Sequence, residues 1–268
     1  MRNRFEMPGS EILESVVPRS ILIGNSILGK VPKIIDSLRI HPRIMVLSGK
    51  KTRKIAGEEV YASLEENNLN FETVIVEEAS LEAAIAVYDQ IQQFGANLLV
   101  CVGGGKTIDV GKYCSFKSKK KVEIISVPTS TPHDGIASPF IFLDNPTEKY
   151  IGETHPPVAI VADIDKIKQH PDLYRFLAAG VGDTVGKMTA IWDWRYAHRI
   201  KSVKYSRFVG GVLQKADSLF QNQLTETIVD PENAIKVVLK ALLIAGVLMG
   251  TSNDRRVGYG SEHMFAGA

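Results

Sequence analysis

Residue types that could do chemistry concentrate in four short segments of the chain. The first is Val102-Gly103-Gly104-Gly105-Lys106-Thr107-Ile108-Asp109. Three glycines let the backbone approach a ligand closely, and a helix starting there would present unpaired N–H groups to an anion. A pyrophosphate is the natural occupant; a glycine-rich strand-to-helix turn with no ligand is the plainer alternative. The segment is neither a Walker loop nor the GxGxxG fingerprint. The second segment runs from Ser126 to Pro139. Its hydroxyls at Thr129, Ser130, Thr131 and Ser138 can bond a cofactor, and Asp134 can accept from substrate hydroxyls. A polar turn alone would select the same residue types. The third holds Gly182-Asp183-Thr184, where an acidic residue near a helix start is also common without any function. The fourth is Gly258-Tyr259-Gly260-Ser261-Glu262-His263. The spacing of Asp183 and His263 fits no local metal motif, so only the fold can bring them together. His133, beside Asp134, is a further candidate to face a cleft.

These segments need elements to position them. Ser20–Gly24, Arg43–Ser48, Phe71–Val76, Leu98–Val102 and Val122–Val127 read as strands. Thr52–Glu66 and Leu81–Phe94 read as helices between them. The second carries Leu81, Ala84, Ile85, Tyr88 and Ile91 at the spacing of one helical face. Leu98–Val102 is continuously apolar, as a strand buried on both faces should be. Strands separated by such helices imply right-handed crossovers and a parallel sheet. Phe140–Leu143 and Val158–Val161 could add strands, with a hairpin around Asp144-Asn145-Pro146. Beyond about Asp165 the strand signals stop. Leu173–Arg199, Lys204–Thr227 and Pro231–Met249 read as helices, the last with Asp230 and Pro231 at a favourable start. The expected fold class is α/β: an N-terminal Rossmann-like parallel-sheet domain over residues 1–163, then an all-helical domain over 164–268. The glycine turn and the Ser126–Pro139 segment would then sit at the carboxyl ends of their strands, where open parallel sheets bind ligands.

At 268 residues, 44% of them hydrophobic and 23% charged, the chain can bury a full core. A net charge of +2 gives no reason to expect nucleic acid. The basic run Lys117–Lys121 reads as a solvated turn. Cys101 and Cys114 form no finger or CxxC pattern, which suits a reducing cytosol. The charged N-terminus has no signal-peptide core. Val237–Met249 is too short to span a bilayer and reads as a buried helix, so no membrane insertion is expected. His41, His155 and His170 precede prolines and read as turn residues, and His198 as surface or packing. Trp192 and Trp194 cannot share a helix face.

Taken in order, GGGKTIDVGK, SVPTSTPHDGIASP, PPVAIVADIDKI, LAAGVGDTVGKMTAIWDWRYAHR and GSEHMF resemble the sn-glycerol-1-phosphate dehydrogenase family, part of the wider group of iron-type alcohol dehydrogenases, glycerol dehydrogenases and dehydroquinate synthases. HDGIASP and GSEH point to the glycerol-phosphate branch. The resemblance runs from about Pro18 to the last residue. It implies an NAD- or NADP-dependent, zinc-dependent interconversion of dihydroxyacetone phosphate and sn-glycerol 1-phosphate, which supplies the backbone of archaeal-type ether lipids, in a cytoplasmic homo-oligomer. By that similarity Gly105, Lys106, Thr107, Ile108 and Asp109 would hold the cofactor pyrophosphate and its surroundings. Thr129, Ser130, Thr131, Pro132 and Ser138 would also line the cofactor. Asp134 would contact the polyol, Asp183 would contact the polyol and bind zinc, and His263 would be a second zinc ligand. The family's third ligand is a histidine further along, past Ala268. A substrate-contacting histidine that the family places four residues after this one is Gly267 here. A C-terminal truncation, weak zinc binding and low activity are therefore expected of this chain.

Two other readings stay open at this stage. One is a dehydrogenase of glycerol or another unphosphorylated polyol. The other is a truncated, non-catalytic chain that keeps a nucleotide cleft. Lys112, Arg195 and Lys204 are the candidates for a substrate phosphate. The turn from Ser48 to Thr52 lacks the acidic residue that would bond a ribose 2′-hydroxyl, which leans toward NADP or both cofactors.

Overall fold

The structure is a computed structural model that describes residues 17–147, 149–227, 230–252 and 254–266. Gly267 and the first sixteen residues, on which the absence of a leader was read, lie outside the described residues.

The sheet strands are β1 (Ser20–Gly24), β2 (Ile44–Ser48), β3 (Phe71–Ile75), β4 (Leu98–Gly103), β5 (Glu123–Pro128) and β8 (Ala159–Asp163). They form one six-stranded sheet in the order β1-β8-β5-β4-β2-β3, every pair parallel. β2, β4 and β8 are buried along their whole length. Their runs of Ile, Val, Leu and Ala suit strands covered on both faces. β6 (Phe140–Leu143) and β7 (Tyr150–Glu153) form the separate antiparallel hairpin expected around Asp144-Asn145-Pro146.

The order matters for function. From β2 the chain winds outward to β3, then returns to the other side of β2 for β4, β5 and β8. The winding reverses between β2 and β4, so the carboxyl ends of those strands open a crevice at the switch point. Register places Ser48 beside Val102, and Gly103 beside Pro128. The triple-glycine turn and the Ser126–Pro139 segment thus leave the sheet side by side.

On one face of the sheet, α1 (Val31–Ser37) and α3 (Glu58–Glu66) cover Val46, Val100 and Val161. On the other face lie α4 (Leu81–Phe94) and α5 (Gly105–Lys117). α4 is bounded by local chemistry. The Ser80 hydroxyl accepts from Ala83 N–H at 3.1 Å, and Gly95 ends the helix at φ 73°. Two expectations need correcting here. Ile85 points outward, 45% exposed, and Val87 takes its place in the core. The helix read over Thr52–Glu66 is three pieces: α2 (Lys50–Thr52), a π-helical turn (Arg53–Gly57) and α3.

After β8 the described residues form no strand. They form α6 (Ile164–Lys168), α7 (Leu173–Lys201), α8 (Arg207–Thr227), α9 (Pro231–Ser252) and α10 (Ser261–Ala266). α8 starts three residues later than expected, and α9 runs on to Ser252. By length and composition α9 could cross a membrane. Here Ile235, Val238, Leu239 and Leu242 pack into the same core as Ile136, Ala137 and Ile141. One core therefore runs from the sheet layer into the helices. A smaller cluster joins Phe140 to Trp194, Leu213, Leu248 and Val257. Trp194 is buried there while Trp192 is exposed, as their spacing required.

Candidate functional site

The glycine turn is shaped first by what packs on it. A Cβ on Gly103 would lie 2.5 Å from Thr107 Oγ1, and one on Gly104 would lie 2.7 Å from Ser130 Oγ. A Cβ on Gly105 would run into the His133 imidazole. Glycine is needed here for close approach of the Ser126–Pro139 segment. α5 begins at Gly105 with Gly104 as N-cap and no side-chain cap. The positive end of the helix dipole and its first N–H groups face the crevice.

The five residues assigned to this turn divide sharply. Gly105 and Lys106 stand at the crevice, and Lys106 Nζ donates to Glu77 O at 2.9 Å. Thr107, Ile108 and Asp109 are buried. Asp109 turns inward to the Lys112 ammonium at 3.1 Å. Lys112 also donates to Gly135 O at 2.5 Å and Phe140 O at 2.8 Å, which occupies the group as an internal tie. It is therefore no candidate for a substrate phosphate. Arg195 is bonded to Tyr205 and Gln214, beside the carbonyl of Lys204 that Trp194 uses. Arg195 lies about 18 Å farther along α7 than Asp183, by the rise of an α-helix. The Ser48–Thr52 turn has no acidic residue, but the fold brings Glu77 to it. The Glu77 carboxylate pairs with Lys50 at 2.5 Å, and the hydrogen bond and charge of Lys50 hold its carboxyl below the usual range.

On the opposing segment Thr129, Thr131 and Ser138 are fully buried, and their hydroxyls have no hydrogen-bond partner among the described residues. Ser130 packs on Gly104, and Pro132 is partly buried. The hydroxyls of Thr129, Thr131 and Ser138 are sealed beneath the surface and do not face the crevice, contrary to the expectation that they line the cofactor; the free helix start and the switch-point location are what suit the phosphates of a dinucleotide.

The second half of the site is ionic. Asp134 opens a short 3-10 turn (Asp134–Ile136), Asp183 lies on α7, and His263 lies on α10. Gly180 lets α7 pass against the carbonyl of Thr131, where any side chain would collide. That contact carries Asp183 to the turn, and its Oδ2 accepts from the Asp134 N–H at 3.1 Å. Its Oδ1 lies 3.5 Å from His263 Nε2. The other ring nitrogen, Nδ1, is 2.7 Å from Glu262 Oε1. A carboxylate at Nδ1 holds a proton there; a second proton, on Nε2, bonds toward Asp183 Oδ1, and a metal ion would take that proton's place. Tyr259 stacks on the His263 ring at 4.4 Å and on Phe142 at 5.9 Å.

A residue with no role in the motif reading stands at the centre. Lys187, one turn after Asp183, is 1% exposed. Its ammonium lies 2.9 Å from Asp183 Oδ1, 3.0 Å from Gly258 O and 2.6 Å from Asp134 Oδ2. The Asp134 contact is an ion pair whose angle misses hydrogen-bond geometry, so that carboxylate oxygen keeps no hydrogen-bond partner among the described residues. Burial alone would raise Asp183. The His263 hydrogen bond and the Lys187 charge outweigh it and hold the carboxyl at about 2. Burial raises Asp134 and is opposed by Lys187, while the Asp183 charge adds to the rise. Burial would lower Lys187, but the two carboxylates outweigh it and raise the group. The Asp183 hydrogen bond raises His263 against the effect of burial. The i, i+4 spacing of Asp183 and Lys187 was the available signal for this pair. The signal for Glu262 was its place beside His263.

A metal ion suits the two donors that converge. Zinc bonds of about 2.0–2.2 Å at tetrahedral angles put neighbouring ligand atoms about 3.4 Å apart. Asp183 Oδ1 and His263 Nε2 have that relation at 3.5 Å. Among the described residues no group of three His, Cys, Asp or Glu side chains forms a complete metal site.

Comparison with known proteins gives one consistent result. Residues 22–171 match the family described as iron-containing alcohol dehydrogenase. Over 252 residues the chain is 34% identical to a glycerol-1-phosphate dehydrogenase [NAD(P)+] of Thermococcus sibiricus, covering 94% of this chain and 71% of the relative. A glycerol-1-phosphate dehydrogenase [NAD(P)+] of Methanococcoides burtonii is 33% identical over 252 residues, with 94% and 70% covered. Among solved structures, glycerol dehydrogenase from Schizosaccharomyces pombe superposes with a TM-score of 0.73 at 19% identity, over 90% of this chain and 63% of that one. An iron-containing alcohol dehydrogenase from Thermotoga maritima does so with a TM-score of 0.68 at 19% identity, over 90% and 69%. At such identities these two speak for the fold alone.

Proposed function

Because the chain belongs to the iron-containing alcohol dehydrogenase family, we propose that it interconverts dihydroxyacetone phosphate and sn-glycerol 1-phosphate with NAD or NADP. The observation that carries this reading is the convergence of Asp183 Oδ1 and His263 Nε2 at 3.5 Å, beside Asp134, which directly follows the His133 packed on the glycine turn. The similarity to glycerol-1-phosphate dehydrogenases over most of the chain supports the phosphorylated substrate.

In this reading the two parts of the fold divide the work. The sheet layer, up to about residue 163, takes the dinucleotide. Gly105 and Lys106 face its phosphates, Ser130 and Pro132 flank its approach, and Thr129, Thr131 and Ser138 shape that segment from beneath. Thr107, Ile108 and Asp109 support the turn from below. The helical part from residue 164 onward takes metal and substrate. Asp183 and His263 would hold zinc, which when bound supplies Lewis acidity toward the C2 oxygen. Glu262 keeps the His263 ring oriented. Asp134 accepts from a substrate hydroxyl and orients the substrate; NAD or NADP, when bound, would supply or take the hydride. The enzyme would work in the cytosol as a homo-oligomer, and its two buried unpaired cysteines fit a reducing compartment.

The test is NADH- and NADPH-dependent reduction of dihydroxyacetone phosphate against dihydroxyacetone, with zinc present. Preference for the phosphate ester supports the proposal; equal or better reduction of dihydroxyacetone replaces it with a polyol dehydrogenase. A second reading is nucleotide binding without turnover, in which Lys187 already satisfies Asp134 and Asp183. It predicts NADPH binding and no reduction of either ketone at saturating zinc.

A further inference from the structure

Lys187 is a buried charge that the hydride chemistry does not use. It sits where three segments meet. Asp183 comes from α7, Asp134 from the turn after β5, and Gly258 from the loop before α10. Each of its three N–H groups has an oxygen acceptor nearby, at 2.9, 2.6 and 3.0 Å respectively. Asp183 Oδ1, which takes the first, is also the oxygen facing His263 Nε2 at 3.5 Å. The other titratable groups around this centre are His133, Glu262 and His263.

We propose that Lys187 is a resident counter-charge of the metal cleft: its ammonium holds Asp134 and Asp183 together before a divalent cation binds, and opposes that cation once it has bound. Without Lys187 the two carboxylates would stand side by side in a poorly solvated space, and like charges there repel strongly. With it, part of the attraction that would draw a metal ion is already satisfied. A dication at Asp183 and His263 also lies close to a fixed positive charge. Lys187 is thus a positioning residue that exchanges metal affinity for a preassembled cleft. The inference rests on the reading of Asp183 and His263 as metal ligands.

The test is calorimetric titration of zinc into the 268-residue chain, with thermal unfolding of the metal-free and zinc-loaded forms. Removing the charge in Lys187→Met should lower the metal-free midpoint and tighten zinc binding about ten-fold or more, because a close like charge is gone. The zinc-induced rise in midpoint should grow accordingly. Lys187→Gln, which keeps a hydrogen-bonding head, should shift affinity the same way and serves if the methionine variant fails to fold. Lys187→Arg retains the charge and should bind zinc as the parent does. A clamp that acts only through structure would give weaker zinc binding in the neutral variants; weaker or unchanged binding in both overturns the inference. His263→Ala, combined with the neutral variant, separates the two ideas. If that double variant keeps the zinc site, the ligand reading itself is wrong. If it loses the site while the neutral variants match the parent, only the role of Lys187 is wrong.

Discussion

Two lysines, each one turn from an aspartate on the same helix, show how similar local chemistry leads to different outcomes. Lys112 and Lys187 are both sealed from solvent. Lys112 meets one carboxylate, Asp109, and two backbone carbonyls, those of Gly135 and Phe140. One charge answers one charge, and the carbonyls tie α5 to the segment that carries Asp134. Lys187 meets two carboxylates and one carbonyl, beside the His263 imidazole, whose Nε2 faces Asp183. Its surroundings keep an excess of acceptors. The first arrangement is a closed structural lock; in the second, one ammonium is shared by two carboxylates beside an imidazole.

The largest expected effect comes from breaking the closed lock. Lys112→Met leaves Asp109 as an uncompensated buried charge and should cost about 3–5 kcal/mol in urea unfolding, with no recovery on adding zinc. Pairing it with Asp109→Asn should return much of that loss. A single-variant cost under about 1 kcal/mol would show that the lock is not a sealed ion pair.

Next in size is the contact between α9 and the turn of Asp134. A Cβ on Gly246 would lie 2.7 Å from Ala137 Cβ, 2.8 Å from Ser138 N and 2.9 Å from Asp134 O. Backbone cannot yield as a side chain can, so Gly246→Ala should destabilise by about 1–3 kcal/mol. It should also weaken zinc binding by displacing Asp134. A stable variant with unchanged zinc affinity would mean that the turn tolerates displacement.

A smaller effect is expected at the glycine turn. Gly105→Ala meets the movable ring of His133. Stability should change by less than about 1 kcal/mol, while NADPH binding, followed by fluorescence, should weaken clearly. His133→Ala in the same chain should restore part of the affinity. No loss of NADPH binding in Gly105→Ala would move the nucleotide away from this turn.

The smallest effect is a null result with a physical cause. Burial pushes the Cys101 thiol up to about 12 and raises Cys114 as well. At about pH 8 neither should be alkylated in the native chain, and both should react in denaturant. Rapid native alkylation would show that the core between β4 and α5 opens readily.

Much of this was legible in the residues themselves. The apolar runs of β2 and β4, the helical spacing of α4, and the glycine turn between β4 and α5 are local signals, and local physics produces them wherever they occur. The convergence of Asp183 with His263 was legible only through resemblance, because 80 positions separate them and no periodicity spans that distance. Ile85 was misread because periodicity finds a helical face but not its exact centre. Asp109 was placed at the cofactor by resemblance and Lys112 named for a substrate phosphate, and neither ground says which way a side chain turns in the packed fold.

The order of strands and helices and the parallel sheet were determined by the chain alone, since they follow from the patterning of neighbours a few residues apart and the alternation of those patterns; the reactive groups were named by resemblance. The tertiary structure decided which of those groups meet. It turned Lys112 inward to a single carboxylate and set Lys187 between two, brought Glu77 over the turn after β2, and laid His133 on the first residue of α5. The physical reason is that charge and hydrogen bonding act through space over a few ångströms, and only the packed fold sets those distances.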